Sequence, residues 1–509
     1  MANKKIVLIN LPPCPDYNYS DAGEIFPHTG LMLAGAIFKQ RGFTVKMVDG
    51  ALEKNYEEKA LAAIDSDTVL VCFSLMTIQV EMALQLSKKI KEKYSGLILW
   101  GGIHPILFPG QTVAHPSIDI VVTGEGYDST LGLIDHLNGQ VKLEAIKGIG
   151  FKNAAGEVVL TEPAQPDDIE KLPHFDFSIL DDVEPYLEAK SVFNNEIETD
   201  NNEKVRLMPI FTGHGCAYKC HFCINAFLKR KYRFKSAQSI IAEVKKLMRD
   251  YGANAFVFLD EDFPISKKRL FELLDLIEQE KLKFYWRVWG RVSYFNDAYI
   301  NRDVIKRLEK NGLRSYVMGA ESGSQKVLDI IEKKITVAEI LNSARVLNGT
   351  KIFAKYSFIM GLEGEKREDA AATYRVCAEM VDLNPKVHIT PPLTFRYYPG
   401  SPIFDRIVNK YKVKLPQKIE DWQGEVLHEG FFKIDAMPWI WPDFVETVKR
   451  MNQYLWFYYI LKNSPKFVSK VLGRLVRWRL NGLYSKFPWE LHVYDLYNKL
   501  TGKVPLGAE

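Results

Sequence analysis

The chain has 509 residues, of which 47% are hydrophobic and 26% are charged, and its formal net charge at pH 7 is +4. This composition is ordinary for a soluble globular protein, and the length suits two to four domains. The small net charge excludes a general attraction to nucleic acid. No apolar run approaches the roughly 18 residues that a transmembrane helix needs. The opening MANKKIVLINLPP enters a predicted strand and not a targeting peptide. With only six cysteines in the chain, we expect a reducing cytoplasm and no disulfides.

Apolar, β-branched segments alternate with amphipathic segments over the first 140 residues. Strands that are apolar on both faces are typical of a parallel sheet covered by helices, so this alternation predicts a doubly wound, Rossmann-like α/β domain. The predicted strands span residues 5–9, 44–48, 68–73, 97–100 and 118–122, and predicted helices span 30–41 and 79–91.

Candidate binding loops follow three of these strands, and two of the loops are rich in glycine. Ligands of doubly wound sheets bind at the carboxyl ends of the strands, and glycine lets the backbone approach them closely. No GxGxxG follows the first strand, so an NAD site is not expected. A Rossmann-like domain that binds another nucleotide, or nothing, stays open on the residues alone. The candidate binding residues are Ser74, Met76, Thr77, Gly101, Gly102, His104, Thr123, Gly124, Glu125 and Gly126.

From residue 206 the alternation of strands and helices resumes. Six such units predict a partial (β/α)6 barrel of the TIM type, whose sites lie at the carboxyl ends of the strands. The predicted strands span residues 207–211, 255–259, 284–289, 314–318, 352–359 and 387–395, with helices at 237–250, 267–279 and 365–380. The intervening residues 146–205 are predicted to form a linker with a small β element at 149–160.

The segment GCAYKCHFC directly follows the first strand of the predicted barrel and carries three cysteines. Three thiolates so close in sequence can bind three irons of a [4Fe–4S] cluster and leave the fourth iron open. The alternative is a zinc site completed by His214 or His221. Zinc knuckles usually have a second pair of ligands 12 or more residues away, whereas the next cysteine here is Cys377. The candidate metal ligands are Cys216, Cys220 and Cys223.

The CxxxCxxC spacing resembles the signature of the radical S-adenosylmethionine (SAM) enzymes. The glycine loops, together with GLMLAGAIFKQRG at residues 30–42, resemble the cobalamin (vitamin B12)-binding domain found upstream of many radical SAM domains. The resemblance covers residues 5–405. It implies three cofactors: a [4Fe–4S] cluster, SAM and cobalamin. Some cobalamin proteins supply a histidine to cobalt from a DxHxxG segment. The sequence His28-Thr29-Gly30 does not match this segment. The resemblance therefore implies base-off cobalamin with no histidine ligand, and a lower axial side faced by residues 74–77.

The same resemblance assigns roles at the ends of the barrel strands. Phe222 is expected beside the SAM adenine, and Asp260 and Glu261 are expected to accept hydrogen bonds from the SAM ammonium. Arg291 is expected to bind the SAM carboxylate or the substrate. Residues 361–365, GLEGE, resemble the GLPGE segment of this family but have Glu363 in place of proline. The remaining expected SAM contacts are Glu321, Ser322 and Gly361.

By resemblance, the expected reaction is methylation of an unactivated carbon or phosphorus through a 5'-deoxyadenosyl radical and methylcobalamin. A one-electron reductant of the flavodoxin or ferredoxin type and a small-molecule or lipid-linked substrate are the expected partners. Cyclisation, ring rearrangement and oxidation stay open as non-methylating outcomes. A methylthiotransferase needs three further cysteines upstream, and only Cys14 and Cys72 are present. The alternative of another class is a metal-binding interaction protein that docks on membrane or RNA.

Helical patterns dominate beyond residue 405. Residues 448–489 contain nine Lys or Arg and no Asp or Glu, which is typical of a peripheral membrane contact. A solvated basic helix, or a site for an anionic substrate, stays open. Nucleic acid is not expected, because the aromatic residues lie in an apolar run. The predicted basic face comprises Lys466, Lys470, Arg474 and Arg477, beside an apolar face of Phe467, Val468, Val471, Leu475 and Trp478.

Four regions follow from these patterns. They are a cobalamin-binding domain at 1–145, a linker at 146–205, a radical SAM barrel at 206–404 and a basic helical domain at 405–509.

Overall fold

The structure is a computed structural model that describes residues 4–14, 26–164, 168–188, 198–200, 203–422, 437–463 and 467–500. It contains two seven-stranded sheets, one in each half of the chain, and a C-terminal group of helices. Within these ranges, no helix has the length and apolar character needed to cross a bilayer. The boundaries at residues 145, 205 and 404 stay predictions.

The N-terminal sheet has the strand order β2-β1-β3-β4-β5-β6-β7. Its first five strands are parallel, and β6 and β7 extend the sheet as an antiparallel hairpin. The small β element predicted within the linker is this hairpin. From β1 the chain adds β2 on one side of the sheet and then returns to add β3 on the other side. Ligands of doubly wound sheets bind at such a reversal of strand order, at the carboxyl ends of the strands. The strands are β1 Lys5–Asn10, β2 Thr44–Asp49, β3 Thr68–Ser74, β4 Leu97–Gly101, β5 Ile120–Val122, β6 Ile149–Lys152 and β7 Val158–Leu160.

Helices cover both faces of this sheet. Successive residues of a strand point to opposite faces, and here the residues on each face are apolar. Ile6 and Leu8 of β1 belong to one buried cluster, and Val7 and Ile9 belong to the other. The doubly wound prediction is therefore confirmed. The helices are α1 Thr29–Gln40, α2 Tyr56–Ala63, α3 Val80–Lys91, α4 Ile103–Leu107, α5 Pro109–Val113 and α6 Tyr127–Leu137, followed by the short α7 Glu184–Leu187.

The second sheet is an open, parallel partial barrel with the order β15-β14-β13-β12-β11-β8, in which β16 also pairs with β14. The predicted barrel is confirmed, with one local correction. The single strand predicted for 387–395 is two short strands, because Pro391 and Pro392 have no N–H to continue the ladder. The strands are β8 Leu207–Ile210, β9 Gly213–His214, β10 Arg233–Phe234, β11 Ala255–Phe258, β12 Tyr285–Gly290, β13 Leu313–Glu321, β14 Phe353–Met360, β15 His388–Ile389 and β16 Leu393–Thr394.

Four of the longer helices outside the barrel begin at polar capping residues. Ser236, Ser266, Asn301 and Thr336 each accept a hydrogen bond from a backbone N–H of the first turn that they precede. The caps fix where each helix starts and so where each strand–helix loop ends. The helices are α8 Asn225–Leu228, α9 Ala237–Tyr251, α10 Lys267–Gln279, α11 Arg302–Lys310, α12 Gln325–Ile330, α13 Val337–Val346, α14 Arg367–Leu383 and α15 Pro402–Tyr411.

The C-terminal helices are α16 Phe444–Lys462, α17 Phe467–Gly482 and α18 Trp489–Leu500. Val476 and Leu480 are the buried side of α17. The predicted basic face requires a correction at Arg477, which forms an ion pair with Asp382 of α14. The predicted apolar face also divides, because Trp478 is exposed and Leu475 is only half-buried. The predicted Lys466 lies outside the described residues, as do the side chains of Phe467 and Val468.

We predict that Gly312→Ala destabilises the barrel more than Gly349→Ala does. Both glycines have positive φ angles, +87° and +80°. A Cβ at Gly312 would lie 1.9 Å from the carbonyl oxygen of Phe284, whereas nothing lies within 4 Å of one at Gly349. We expect Gly349→Ala to cost about 1 kcal/mol and Gly312→Ala about 3 kcal/mol. Thermal unfolding of the two variants measures the difference, and equal midpoints would contradict the backbone clash.

Candidate active site at the facing loop edges

The cysteine loop leaves the barrel directly after β8. Two short strands, β9 and β10, pair on either side of it and hold its ends together. Gly215 has a φ of +84°, and a Cβ there would lie 2.5 Å from the carbonyl oxygen of Lys231. Glycine is thus required where the loop begins. The N–H of His221 donates to the carbonyl oxygen of Ile331 at 2.9 Å, which fixes the loop against the end of α12.

The three thiols of this loop lie close enough to influence each other. Burial and, to a smaller extent, charge repulsion from Asp262, Cys220 and Cys223 raise the pKa of Cys216 to about 11, although a backbone hydrogen bond acts in the opposite direction. Burial also raises the pKa of Cys223. The described residues include no set of three His, Cys, Asp or Glu side chains grouped as a single-ion site. A cubane cluster does not need such a set, because each thiolate binds a different iron.

The two histidines proposed as zinc ligands have other partners. His214 lies between two carboxylates, with Nε2 3.8 Å from Glu125 and Nδ1 3.9 Å from Glu261. Burial lowers the pKa of His214 to about 3, and the nearby Arg230 and Arg233 lower it too. Nδ1 of His221 lies 3.1 Å from the carbonyl oxygen of Ile330. The three thiols are thus left as the candidate ligands, and their assignment to a cluster with one open iron stays a prediction.

Three consecutive carboxylates after β11 have three different environments. Asp260 is buried in an ion pair with Arg269 at 2.6 Å and also accepts hydrogen bonds from Thr212 and Tyr232. A Cβ at Gly213 would lie 2.2 Å from this carboxylate, so the residue after Thr212 must be small. Asp260 therefore anchors the start of the cysteine loop, and its predicted contact with SAM stays a prediction.

Asp262 has the opposite character, because one of its oxygens is left open. Tyr294 donates to Oδ2 at 2.6 Å, while the buried Oδ1 has no hydrogen-bond partner in the described part of the chain. Burial raises the pKa of Asp262 to about 6, although Tyr294 and Arg291 act in the opposite direction. Buried polar atoms are normally paired. The open oxygen thus marks a place where a bound group can donate a hydrogen bond beside Cys216.

Two cations lie beside the cysteine loop. Nζ of Lys333 donates to Glu321 at 2.7 Å and lies 5.7 Å from the centre of the Phe222 ring. The guanidinium of Arg291 stacks on the ring of Tyr218 at 3.5 Å. It also donates to the carbonyl oxygens of Lys333 and Lys334, the latter at 3.2 Å. The predicted residues Phe222, Arg291 and Glu321 are therefore brought together around Lys333.

The remaining predicted SAM contacts lie at the next two strand ends. Ser322 Oγ lies 3.2 Å from the Thr373 hydroxyl and accepts from the N–H of Ser324 at 3.1 Å. Gly361 has a φ of +81°, and its N–H donates to the carboxylate of Glu365. The contacts of Ser322 and Gly361 with SAM stay predictions.

The predicted cobalamin residues meet at one edge of the N-terminal sheet. His104 and Leu75 are joined by a backbone hydrogen bond of 3.3 Å, which connects the loops after β3 and β4. A Cβ at Gly102, where φ is +94°, would lie 2.5 Å from the backbone nitrogen of Leu75. Ser74 is buried, whereas Met76 is 51% exposed at the open side of this edge. The individual cobalamin contacts stay predictions.

His104 is buried within this edge. Its Nδ1 lies 3.3 Å from the Thr77 hydroxyl, and its ring packs against Phe108 and Trp422. Burial lowers the pKa of His104 to about 3. His28 caps α1 by accepting from the N–H of Leu31 at 3.3 Å. Both side chains therefore contact neighbouring residues, and the absence of a histidine ligand to cobalt stays a prediction.

The two edges face each other across a carboxylate. Glu125, in the loop after β5, accepts from Arg233 at 2.5 Å and lies 3.8 Å from His214. A pocket with an empty volume of about 600 Å³ lies at this junction. Its walls come from both halves of the chain and include Gly124, Glu125, Tyr127, Lys229 and Arg230. The loop after β5 and the residues that follow the cysteines therefore share one pocket.

Lys333 and Tyr218 were not predicted from the sequence. Lys333 follows α12 and not a strand, so the rule that functional residues follow barrel strands does not find it. Tyr218 occupies one of the positions between the cysteines, and the CxxxCxxC spacing does not specify which residue stands there. The sequence signal for Lys333 is a basic residue in the turn after α12, the short helix that follows the glycine-serine loop at the end of β13.

Two sequence families match the chain in separate regions. The Radical SAM superfamily matches residues 210–377, and the B12 binding domain matches residues 19–134. A relative from Pyrococcus horikoshii called uncharacterized methyltransferase PH0819 is 26% identical over 408 residues, which are 78% of this chain and 82% of that protein. The anaerobic magnesium-protoporphyrin IX monomethyl ester cyclase of Cereibacter sphaeroides is 26% identical over 402 residues. That alignment spans 77% of this chain and 62% of the cyclase.

Two solved structures share the fold. The cobalamin-dependent radical SAM enzyme OxsB, with aqua-cobalamin and SAM bound, matches 99% of this chain and 76% of its own, with a TM-score of 0.67 and 16% identity. The radical SAM methyltransferase TsrM from Kitasatospora setae, with cobalamin and a [4Fe–4S] cluster bound, matches 94% of this chain and 99% of its own. Its TM-score is 0.64, with 15% identity.

The fold and the matched domains define the class, an enzyme with a radical SAM barrel behind an N-terminal B12-binding domain. This chain belongs to the cobalamin-dependent radical SAM enzymes, and its cofactors are a [4Fe–4S] cluster, SAM and cobalamin.

We predict that Cys216→Ala, Cys220→Ala and Cys223→Ala each prevent assembly of the cluster, since each removes one of the three protein ligands. Anaerobic reconstitution followed by metal analysis should give about four irons per parent chain and fewer than one per variant chain. Cys377→Ala is the control, because Cys377 is buried in α14 away from the loop. Full iron content in any of the three variants would contradict the assignment of that ligand.

We predict that Glu365 makes the stability of the apoprotein depend on pH. Burial raises its pKa to about 7 from an ordinary value of 4.5, and its Oε1 has no partner among the described residues. The folded state therefore holds a proton that the unfolded state has released, so stability falls as the pH rises from 4.5 to 7. The Glu365 carboxyl should account for about 3 kcal/mol of the loss in the free energy of unfolding over this pH range, and Glu365→Gln should remove that contribution.

Chemical unfolding at pH 4.5 and pH 7.5 measures this difference. Glu368→Gln is the control, because Glu368 is exposed on the same helix end. Equal pH dependence in the parent and in Glu365→Gln would show that the Glu365 carboxyl does not retain its proton.

Proposed function

We propose that the enzyme is a methyltransferase that acts on an unactivated carbon or phosphorus of a small-molecule or lipid-linked substrate. The observation that carries this proposal is the junction at Glu125, where the loops of the B12-binding domain contact the two ends of the cysteine loop. Bound cobalamin supplies a methyl group, and SAM at the reduced cluster supplies an organic radical. A site that holds cobalamin and SAM together would allow one substrate to react with the radical and then receive the methyl group.

The residues of the chain have distinct tasks in this proposal. The three cysteines hold the cluster, and Asp260 with Arg269 holds the start of their loop. Asp262 offers an open carboxylate oxygen to a donor such as the SAM ammonium. Lys333 and Arg291 place positive charge where a SAM carboxylate would bind. Burial of these groups keeps water away and strengthens their electrostatic interactions.

The proposal includes further partners and a location. The electron comes from a one-electron reductant of the flavodoxin or ferredoxin type. The proposed location is the cytoplasm, a reducing compartment that suits a chain with only six cysteines. Contact with a membrane through residues 448–489 is also part of the proposal, and nucleic acid is not.

A second candidate is a non-methylating radical reaction such as cyclisation, ring rearrangement or oxidation. It is supported by the cyclase from Cereibacter sphaeroides, which matches 77% of this chain at 26% identity. The two candidates share the cluster and SAM cleavage. They differ in whether SAM also donates a methyl group to the corrin.

We predict that the reconstituted enzyme converts SAM into two products. Radical cleavage gives 5'-deoxyadenosine, and methyl donation to reduced cobalamin gives S-adenosylhomocysteine. With SAM that carries a deuterated methyl group, the label should appear on the corrin before any substrate is added. Cys216→Ala should abolish 5'-deoxyadenosine, by at least about 100-fold, yet retain S-adenosylhomocysteine formation, because only the first product needs the cluster.

Mass spectrometry of both nucleosides and of the extracted corrin gives the result. Formation of 5'-deoxyadenosine without label transfer would favour the non-methylating candidate. Absence of both products from a protein that contains its cluster and corrin would contradict the proposed function.

A further inference from the structure

Large apolar side chains are exposed at one end of the C-terminal helices. Phe487 is 85% exposed, and Trp478 and Trp489 are each 54% exposed. Tyr484, between them in sequence, is 48% exposed, and its ring stacks on Trp478 with the centroids 4.5 Å apart. Scattered exposed apolar residues are normal, whereas a contiguous group of large aromatic rings usually marks an interaction site.

The outer side of α17 continues this surface. Lys470, Val471, Arg474 and Trp478 are all exposed, and their spacing places them along one face of the helix. The opposite face is buried through Val476 and Leu480. The exposed residues are therefore not an unfinished protein core, because α17 already buries another face against the rest of the chain.

The basic residues of this region divide into two groups. Lys462 and Arg477 pair with Asp382, and Arg479 pairs with the buried Glu490. Arg450 pairs with Glu446 at 2.7 Å. These charges are neutralised and hold the helices together.

The second group lies close in sequence to the exposed rings. Lys470, Arg474 and Lys486 are exposed and make no ion pair within the described portion of the chain. No Asp or Glu occurs between residues 447 and 489. Positive charge and aromatic rings thus share a surface that contains no exposed acidic side chain from this segment.

We propose that this surface binds an anionic lipid bilayer. We call it the aromatic-basic face, and it consists of Lys470, Arg474, Trp478, Tyr484, Lys486, Phe487 and Trp489. Amphipathic aromatic rings are favoured at the depth of the lipid headgroups, and cations beside them are attracted to anionic lipids. The free cations complement the negative charge of such a membrane, which is why a bilayer, and not a second copy of this basic surface, is its partner.

The inference deepens the proposed membrane contact and does not depend on the radical chemistry. Docking through the aromatic-basic face would bring the enzyme to substrates that reside in, or are linked to, a membrane. Vesicle binding and SAM cleavage are measured separately, so failure of one leaves the other result intact.

The first experiment measures how the full-length reconstituted enzyme sediments with vesicles. Vesicles contain phosphatidylcholine alone or with phosphatidylglycerol. We expect binding only to the anionic vesicles, weakened about 100-fold by the triple change Lys470→Gln, Arg474→Gln and Lys486→Gln, since each cation near an anionic surface contributes to the partition. The matched control changes Lys93, Lys246 and Lys283 to Gln, which are exposed lysines on other surfaces.

The second experiment tests whether the rings enter the bilayer. Lipids brominated near the headgroup should quench tryptophan fluorescence of the parent, and Trp478→Phe with Trp489→Phe should remove that quenching. Phe487→Ser should weaken sedimentation about tenfold. Val158→Ser with Leu160→Ser is the control, because both residues are exposed on the edge strand β7.

Unaltered circular-dichroism spectra and thermal midpoints show that each variant folds. Several results would overturn the inference: equal binding to neutral and anionic vesicles, anionic binding that the triple variant retains, or absence of quenching in the parent. Binding to a homopolymeric RNA that the triple variant loses, without vesicle binding, would assign the face to nucleic acid instead.

Discussion

The carboxylate of Glu125 connects the two halves of this enzyme. It belongs to the loop after β5 of the N-terminal sheet, and it contacts Arg233 and His214, which flank the cysteine loop of the barrel. In both sheets these loops follow the carboxyl ends of parallel strands, where ligands bind. The facing edges therefore make one site from two separately wound sheets. Glu125 is mostly buried, with a side chain 14% exposed, so its negative charge is balanced by the guanidinium of Arg233 and not by the neutral ring of His214.

Much of this arrangement could be predicted from the sequence because parallel sheets have a strong local pattern. Strands such as Val7 to Ile9 are apolar at every position, since helices cover both faces. The spacing of the cysteines then indicates which edge of the barrel contains the active site. The glycines after β4 and β5 indicate the opposite edge, and at Gly102 the structure supplies the reason, because a side chain there would collide with the backbone of Leu75.

Other features depend on contacts between residues far apart in the sequence, and the pattern does not contain them. Asp260, Glu261 and Asp262 are adjacent and chemically alike, yet only Asp260 faces Arg269 of α10. Lys333 follows a helix and reaches Phe222 through the turn of the chain. Arg477 is at the spacing expected of a solvated basic face, but Asp382 of α14 pairs with it. Each outcome is decided by a partner that lies 9 to 111 positions away in the printed sequence.

Charge compensation connects the cysteine loop with its surroundings. Thiolates must replace thiols before iron binds, and burial opposes this by raising the pKa of Cys216 and Cys223. Lys333 acts against burial at Cys223. Its own charge is shared with Glu321, so it stabilises the thiolate without adding an unpaired cation. The open oxygen of Asp262 lies near Cys216, and Arg291 and Lys333 act on the same carboxylate. Charges of both signs therefore lie beside the cysteines, an arrangement that suits a zwitterion such as the methionyl group of SAM.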